Sequence, residues 1–557
     1  MRPHRPRPHV VVVGAGFAGL AVVQGLRGAE VDVTLVDQRN HHTFQPLLYQ
    51  VATAGLDAGD VAHQVRDVLR DMVHARFRMG RVVAIDLARR VLTLANDPAA
   101  GGPPRDLLAY DHLVLAPGAV YHDFGVPGVL EHAFVLKSAA EAVALRAHLL
   151  RRFERAAQAP ADLRDGDLDV VIVGAGPTGV EMAGALLELF QRVLPSDYPE
   201  LDLRRARVVL LEAAPHVLGP YHPSSRRYAE RVLRRRGVDL RTGAVVREVT
   251  ADEVRLADGT TIRFGTLVWA AGVRAHPLAE ALGVPLDRAG RVPVDDDLSL
   301  PGHPGVWLAG DVAGPVGTLG AFPQVAQVAK QQGAHVARSL RARLEGRPTR
   351  PFRYLDLGNM AIIGRSAGVA ELSRGLGGLR LSGFLGWLGW LLVHLVHLPG
   401  HQNRWRALIG WVFEWFTYDR HARLILGPHD RLRDQVDQPR HQQPKTAQRD
   451  DPQQDRVQRD ADHPLPRLGT RGRRAGHHPR RGARPRARSR PEPQAGGAAP
   501  GGGGPARGEP RLHLQRRRQP LDDRDQPAAG VARGQRRFRL AAQAPAPEPL
   551  VLLRLMP

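Results

Sequence analysis

The 557-residue chain contains no cysteine. Disulfides, thiolate metal sites, cysteine nucleophiles and relays built on a Cys pair are thereby excluded, so any redox chemistry here needs a bound cofactor. No apolar run reaches the roughly 20 residues of a spanning helix, so no transmembrane proton pump is expected. Aromatic residues make up only 5% of the chain, yet five of its seven tryptophans fall between Trp387 and Trp415. Acidic residues are outnumbered, 56 Asp and Glu against 78 Lys and Arg, for a net charge of +22. Residues 431–557 alone carry 28 basic against 13 acidic side chains. The basicity therefore belongs mostly to the tail, and no specific nucleic-acid partner is expected of the remainder.

From about residue 429 the sequence is dominated by Arg, Pro, Gln, Gly and Asp, with Phe538 as its one aromatic. Such a segment cannot bury enough apolar surface to offset chain entropy and reads as disordered. Its composition also matches a GC-rich reading frame translated out of register, which makes a frameshift product a second reading. At the other end, Met1 to Val23 has the basic start and apolar run of a signal peptide. The run contains GAGFAG and leads into a second β-type segment, so it reads as part of a fold.

Residues 9–37 read as strand, tight glycine turn, helix and strand, and residues 169–212 repeat the pattern with an insertion containing PSDYPELD. Two such units imply an α/β chain with two Rossmann-like dinucleotide-binding domains, a C-terminal membrane-associating segment and a disordered basic tail. The expected division is residues 1–125 with 300–345, then 126–299, then 346–428, then 429–557. Further short apolar strands, ending in Pro117-Gly118, Gly272 and Gly310-Asp311, deliver backbone turns to a shared cleft.

The first fingerprint is Gly14-Ala15-Gly16-Phe17-Ala18-Gly19. Gly14 permits the turn, Gly16 lets a pyrophosphate approach the backbone, and Gly19 lets helix and strand pack closely, while the helix N-terminus supplies partial positive charge. Asp37 follows at the end of the next strand, placed to accept ribose hydroxyls. The second fingerprint is Gly174-Ala175-Gly176-Pro177-Thr178-Gly179, whose acid is Glu212. A carboxylate there repels a 2′-phosphate, so NADH is preferred to NADPH. Asp311, at the end of a late strand, suits the ribityl chain of FAD. FAD is thus expected at the first fingerprint, tightly and non-covalently bound, and NADH at the second.

On these residues, together with HHTFQPLLYQVATAGL at 41–56, GVWLAGDVA at 305–313 and AQVAKQQG at 326–333, the chain resembles the type II NADH dehydrogenases of the two-dinucleotide flavoprotein superfamily. The resemblance covers about residues 8–426. It implies that Gln38 joins Asp37 and the first turn at the adenosine end of FAD, with the Val82 backbone near the adenine. Pro46, Leu47, Pro117 and Gly118 would line the flavin, and Gly310 and Asp311 would hold the ribityl chain. Pro117 stands where the family more usually has Thr, which removes a side-chain hydrogen bond. Gly272 is assigned to the cofactor cleft. Glu181 would sit on the first turn of the second helix beside the nicotinamide. Gln327 and Gln331, four apart on one helix face, would close over the flavin and form the quinone channel, with Lys330 at its rim.

The activity so implied is FAD-dependent oxidation of NADH with two-electron reduction of a membrane quinone, without proton pumping. Disulfide and sulfide oxidoreductases of the same fold need reactive cysteines, which are missing. A soluble NADH-dependent reductase of a small electron carrier and a non-catalytic NADH-sensing flavoprotein remain as alternatives. The tryptophan-rich segment GFLGWLGWLLVHLVHL, with Arg404, Arg406, Arg420 and Arg423 after it, reads as an in-plane interfacial helix. Residues 383–420 are thus expected to dock the protein peripherally on the cytoplasmic face of the cell membrane. His394 and His397 lack a third ligand and no metal is expected; a homodimer stays open.

Overall fold

The computed structural model describes residues 7–95, 105–316 and 320–426. The tail expected from residue 429 lies outside the described residues. Strand β1 (His9–Val13), helix α1 (Phe17–Gly25) and strand β2 (Asp32–Asp37) form the first βαβ unit, and β3 (Ala75–Met79) and β4 (His112–Leu115) follow. The second unit comprises β5 (Val170–Val173), helix α2 (Pro177–Glu188), β6 (Val208–Glu212), β7 (Asp239–Thr242) and β8 (Thr266–Trp269). Then come β9 (Val306–Leu308) and the long helix α3 (Ala326–Leu344).

The first sheet is parallel throughout, in the order β9-β4-β1-β2-β3, and the second is parallel in the order β7-β6-β5-β8. In both, the strand that leads into a glycine turn lies between the strand that follows it and one from much later in the chain. That is a topological switch point, where a ligand crevice opens beyond the strand ends. The continuous valine runs follow from this architecture: Val10, Val11 and Val12 are fully buried, as are Val171 and Ile172. Strands covered on both faces need no polar alternation, and each such side chain contributes about 1.5–3 kcal/mol relative to exposure.

Glycines set how closely α3 lies on α1. A Cβ at Gly333 would stand 2.2 Å from the Ala18 carbonyl oxygen, and one at Gly25 would stand 2.6 Å from the Ala337 Cβ. This close crossing carries residues 327–332 over the first crevice. The PSDYPELD insertion leaves the second unit intact, because α2 simply continues through a π-turn at Leu189–Val193 into a short helix at Leu194–Asp197.

Beyond α3, strands β10 (Asn359–Ile362), β11 (Gly368–Glu371) and β12 (Arg380–Gly383) form an antiparallel sheet. It abuts α2 where Gly184 meets Gly364: a Cβ at Gly184 would lie 2.7 Å from the Gly364 nitrogen. Helices α4 (Phe384–His397) and α5 (His401–Thr417) are the last described elements. They run antiparallel, with Trp387 against Trp415 at 4.7 Å and Trp390 against Trp411 at 6.3 Å between ring centroids. No described helix is long and apolar enough to cross a membrane.

Candidate functional site

The two glycine turns have the same geometry. Gly14 and Gly174 both adopt φ of +101°, a left-handed conformation that favours glycine. A Cβ on Gly19 would stand 1.8 Å from the Gly14 carbonyl oxygen, and one on Gly179 would stand 1.9 Å from that of Gly174. At Gly16 and Gly176, by contrast, a Cβ would meet no atom within 4 Å, so each turn opens on free space. Neither α1 nor α2 has a side-chain cap at its N-terminus. Open space bounded by uncapped helical N–H groups fits a pyrophosphate.

Each turn is closed by its acid in the same way. Asp37 Oδ2 accepts from the Ala15 nitrogen and Glu212 Oε2 from the Ala175 nitrogen, both at 2.7 Å. The other carboxylate oxygens accept from the Arg39 and Ala214 nitrogens, two residues on in each case. The unequal spacing of the two acids from their turns therefore has no structural consequence. Gln38 is exposed beside Asp37. Val82 lies close by, because the Gly80 nitrogen donates to the Asp37 carbonyl. Pro177 and Thr178 are exposed at the start of α2.

Around the first crevice, Gly310 adopts φ of +78° and sits between Ala18 of α1 and Ala329 of α3. Its nitrogen donates to Gln332 Oε1 at 2.7 Å, and Gln332 is buried. Asp311 is half-buried; loss of water raises its carboxyl, while the Lys137 ammonium opposes the rise. Gly118 follows β4 with φ of +78° and open space beside it. Pro46 is half-buried in a 3-10 turn at Gln45–Leu47, but Leu47 is fully buried. Its side chain belongs to the core, so only its backbone can face a flavin. Phe17 meets His42 edge-on at 4.9 Å, and the buried His42 donates from Nδ1 to the Ala15 carbonyl. Burial pushes its imidazole down to about 4 and keeps it neutral. In the second crevice Gly272 lies beneath the Phe124 ring; a Cβ there would stand 2.3 Å from it.

Glu181 departs from expectation. It is the fifth residue of α2, on the second turn, and it is buried. Its Oε1 accepts from the indole Nε1 of Trp390 at 3.0 Å and from the Ile362 nitrogen at 3.4 Å. Burial raises its carboxyl to about 8, with both hydrogen bonds opposing. Gln327 and Gln331 share one face of α3, but both amides are already engaged. Gln327 donates to the Gly358 carbonyl and accepts from the Leu357 nitrogen; Gln331 does both with Leu355. They clasp the segment leading into β10 rather than project freely. Lys330, half-buried on the same helix, is lowered by desolvation and by Arg404.

The interfacial reading of the C-terminal helices also needs correcting in its details. Trp390 is 0% exposed, whereas Phe416 is 77% exposed. The outward apolar face is formed by Phe384, Leu385, Leu388 and Leu392 of α4 with Trp405, Ile409, Val412 and Phe413 of α5. Arg420 is buried, bonded to Glu188, Glu414 and the carbonyls of Thr53 and Ala185. A buried guanidinium is tolerated when its N–H groups find such acceptors. Arg423 pairs with Asp197 and Asp419, and Arg404 donates to the Leu398 carbonyl, which leaves Arg406 as the exposed arginine of the four. His394 donates from Nδ1 to the Trp390 carbonyl at 2.7 Å.

Sequence reasoning missed Gln332, Lys137, His42 and Trp390. Gln332 and His42 lie inside motifs already singled out, whereas Lys137 carried no local signal. Trp390 looked like its surface neighbours, since its burial depends on where α4 docks.

A family model for the pyridine nucleotide-disulphide oxidoreductases matches residues 8–333. The type II NADH:quinone oxidoreductase Ndh of Mycobacterium tuberculosis is 38% identical over 428 residues, which covers 74% of this chain and 90% of the relative. The type II NADH:quinone oxidoreductase of Staphylococcus haemolyticus is 32% identical over 375 residues, or 65% of this chain and 89% of the relative. Among solved structures, NDH2 from Plasmodium falciparum in complex with NADH aligns with a TM-score of 0.68 at 17% identity, covering 76% of this chain and 100% of that one. The sulfide:quinone oxidoreductase of Aquifex aeolicus aligns at 0.56 and 18% identity, over 73% and 95%. These two structures share the fold.

Proposed function

Because the chain belongs to the pyridine nucleotide-disulphide oxidoreductase family, and within it to the type II NADH:quinone oxidoreductases, we propose that it oxidises NADH and reduces a membrane quinone through FAD. The observation that carries this reading is the pair of equivalent glycine turns, each open at its middle glycine and each closed by a carboxylate. Gly310 and Asp311, which stand beside the first turn, would make it the seat of the resident dinucleotide and leave the second to the exchanging one. With no cysteine in the chain, the electrons leave by a route other than a disulfide relay.

Bound flavin supplies the acceptor for hydride from NADH and the donor of two electrons to quinone. The chain supplies orientation. Gly14, Gly16, Phe17, Ala18, Gly19, Asp37, Gln38 and the Val82 backbone would hold the adenosine diphosphate end of FAD. Pro46, the Leu47 backbone and Gly118 would face the flavin, and Gly310 and Asp311 the ribityl chain. Gly174, Gly176, Pro177, Thr178, Gly179, Glu212 and Gly272 would seat NADH, with Glu181 as a proton-bearing group near the nicotinamide. Gln327, Lys330 and Gln331 would border the quinone path through the segment that the two glutamines clasp.

In domain terms, residues 1–125 and 300–345 would bind FAD and 126–299 NADH. The apolar face of α4 and α5 would rest on lipid at the cytoplasmic face of the cell membrane; that face disfavours a soluble electron-carrier reductase. The cofactor assignment is checked by heat release and chromatography of the purified protein's chromophore. FAD is expected, and FMN or no flavin would overturn the assignment of the first turn.

A further inference from the structure

We infer that Trp390, carried on α4, is a positioning residue for Glu181: its indole N–H fixes one carboxyl oxygen and so governs when that group binds and releases a proton. The inference rests on the role proposed above for Glu181.

An indole N–H only donates, so its bond to Glu181 Oε1 at 3.0 Å favours the ionised carboxylate over the acid. The ring itself is held from several sides. His394 stacks on it at 3.8 Å and 19°, with Tyr49 and Trp411 against it at 6.3 Å each. Behind it, Gly386 and Gly368 allow α4 to lie against β11; a Cβ on Gly386 would stand 2.6 Å from the Gly368 oxygen. The helix therefore lies close enough to the sheet to deliver the indole to Glu181, with these rings packed around it.

The other polar groups around Glu181 make hydrogen bonds or ion pairs with other partners. The Tyr49 hydroxyl accepts from Gln50 at 2.9 Å, and the Tyr221 hydroxyl donates to the Met360 carbonyl at 2.8 Å. Glu188, on the same helix, pairs with Arg236 and Arg420. Arg365 donates to the carbonyls of Glu414 and Trp415. Glu181, Glu188, Arg365, Glu414 and Arg420 line one small cavity of about 70 Å³. Among these neighbours, Trp390 and the Ile362 nitrogen are the donors to the Glu181 carboxyl.

The test is infrared spectroscopy of the purified holoenzyme across pH, with the Glu181 band identified by its loss in Glu181→Gln. In Trp390→Phe, which keeps a ring against His394, the protonated-carboxyl stretch is expected at higher frequency. Its midpoint is expected to rise by about one pH unit, the size of one lost charge-assisted hydrogen bond. An unchanged band and midpoint in folded Trp390→Phe would overturn the inference. Should that variant fail to fold, ultraviolet resonance Raman of the wild type decides. One indole hydrogen-bond marker should titrate with the Glu181 midpoint and stop titrating in Glu181→Gln, and a marker indifferent to Glu181 would again overturn it. The functional reading is tested separately: a Glu181→Gln enzyme with both half-reactions intact would remove Glu181 from the site while leaving its coupling to Trp390 standing.

Discussion

Glu181 is a carboxyl held in an environment that favours its neutral form, and this has a consequence for stability. Burial raises it to about 8, whereas in the unfolded chain a glutamate titrates near about 4.3. Its contribution to stability is therefore fully present below about pH 4.3 and is lost as pH rises toward about 8. Glu181→Gln keeps a neutral group in place, so its melting temperature relative to wild type should climb across that window. A difference independent of pH would contradict the assignment. Glu212 makes a different prediction. Its carboxylate closes the second turn through the Ala175 and Ala214 nitrogens and would repel a 2′-phosphate. Glu212→Ala should lower the NADH to NADPH ratio of kcat/KM by about tenfold, the equivalent of about 1.4 kcal/mol. An unchanged ratio would take Glu212 out of the dinucleotide site.

At the scale of elements, α3 and the α4–α5 pair carry the quinone side of the account. Gln331 joins α3 to Leu355 through both functions of its amide. Gln331→Ala should loosen that segment and slow quinone reduction several-fold, while flavin reduction by NADH proceeds at the wild-type rate. Equal loss in both half-reactions would refute the placement. The exposed face of α5 is tested by Ile409→Asp with Phe416→Asp, two positions 65% and 77% exposed. Flotation with anionic lipid vesicles should fall sharply, while turnover with a water-soluble quinone persists. Unchanged flotation with a smaller oligomeric mass would show that a second copy of the chain, and not lipid, covers this face. The glycine turns were legible in the sequence because their geometry is local: a left-handed φ at Gly14 and contacts at Gly19 are set within a few residues. Trp390 was not legible, because the same apolar helix pattern serves a tryptophan facing lipid and one facing a buried carboxyl. Nor was the clasp of Gln327 and Gln331, whose partners at 355–358 are backbone groups that carry no sequence signal.

For the whole molecule, the two parallel sheets place their switch points so that each glycine turn faces a crevice beyond the strand ends. The return of β9 to the first sheet brings Gly310 and Asp311 beside the first turn, and α3 then crosses α1 through Gly25 and Gly333. This long-range closure was readable only as a pattern of strand-end residues, since nothing local to GVWLAGDVA states which sheet it joins. The central claim is that NADH delivers electrons to a resident flavin and quinone removes them. Anaerobic stopped-flow spectroscopy of the purified protein tests both steps together. The flavin band should bleach on mixing with NADH and return rapidly when a short-chain quinone follows. Bleaching without return would contradict quinone as acceptor, and a protein without a flavin band would contradict the account at its first step.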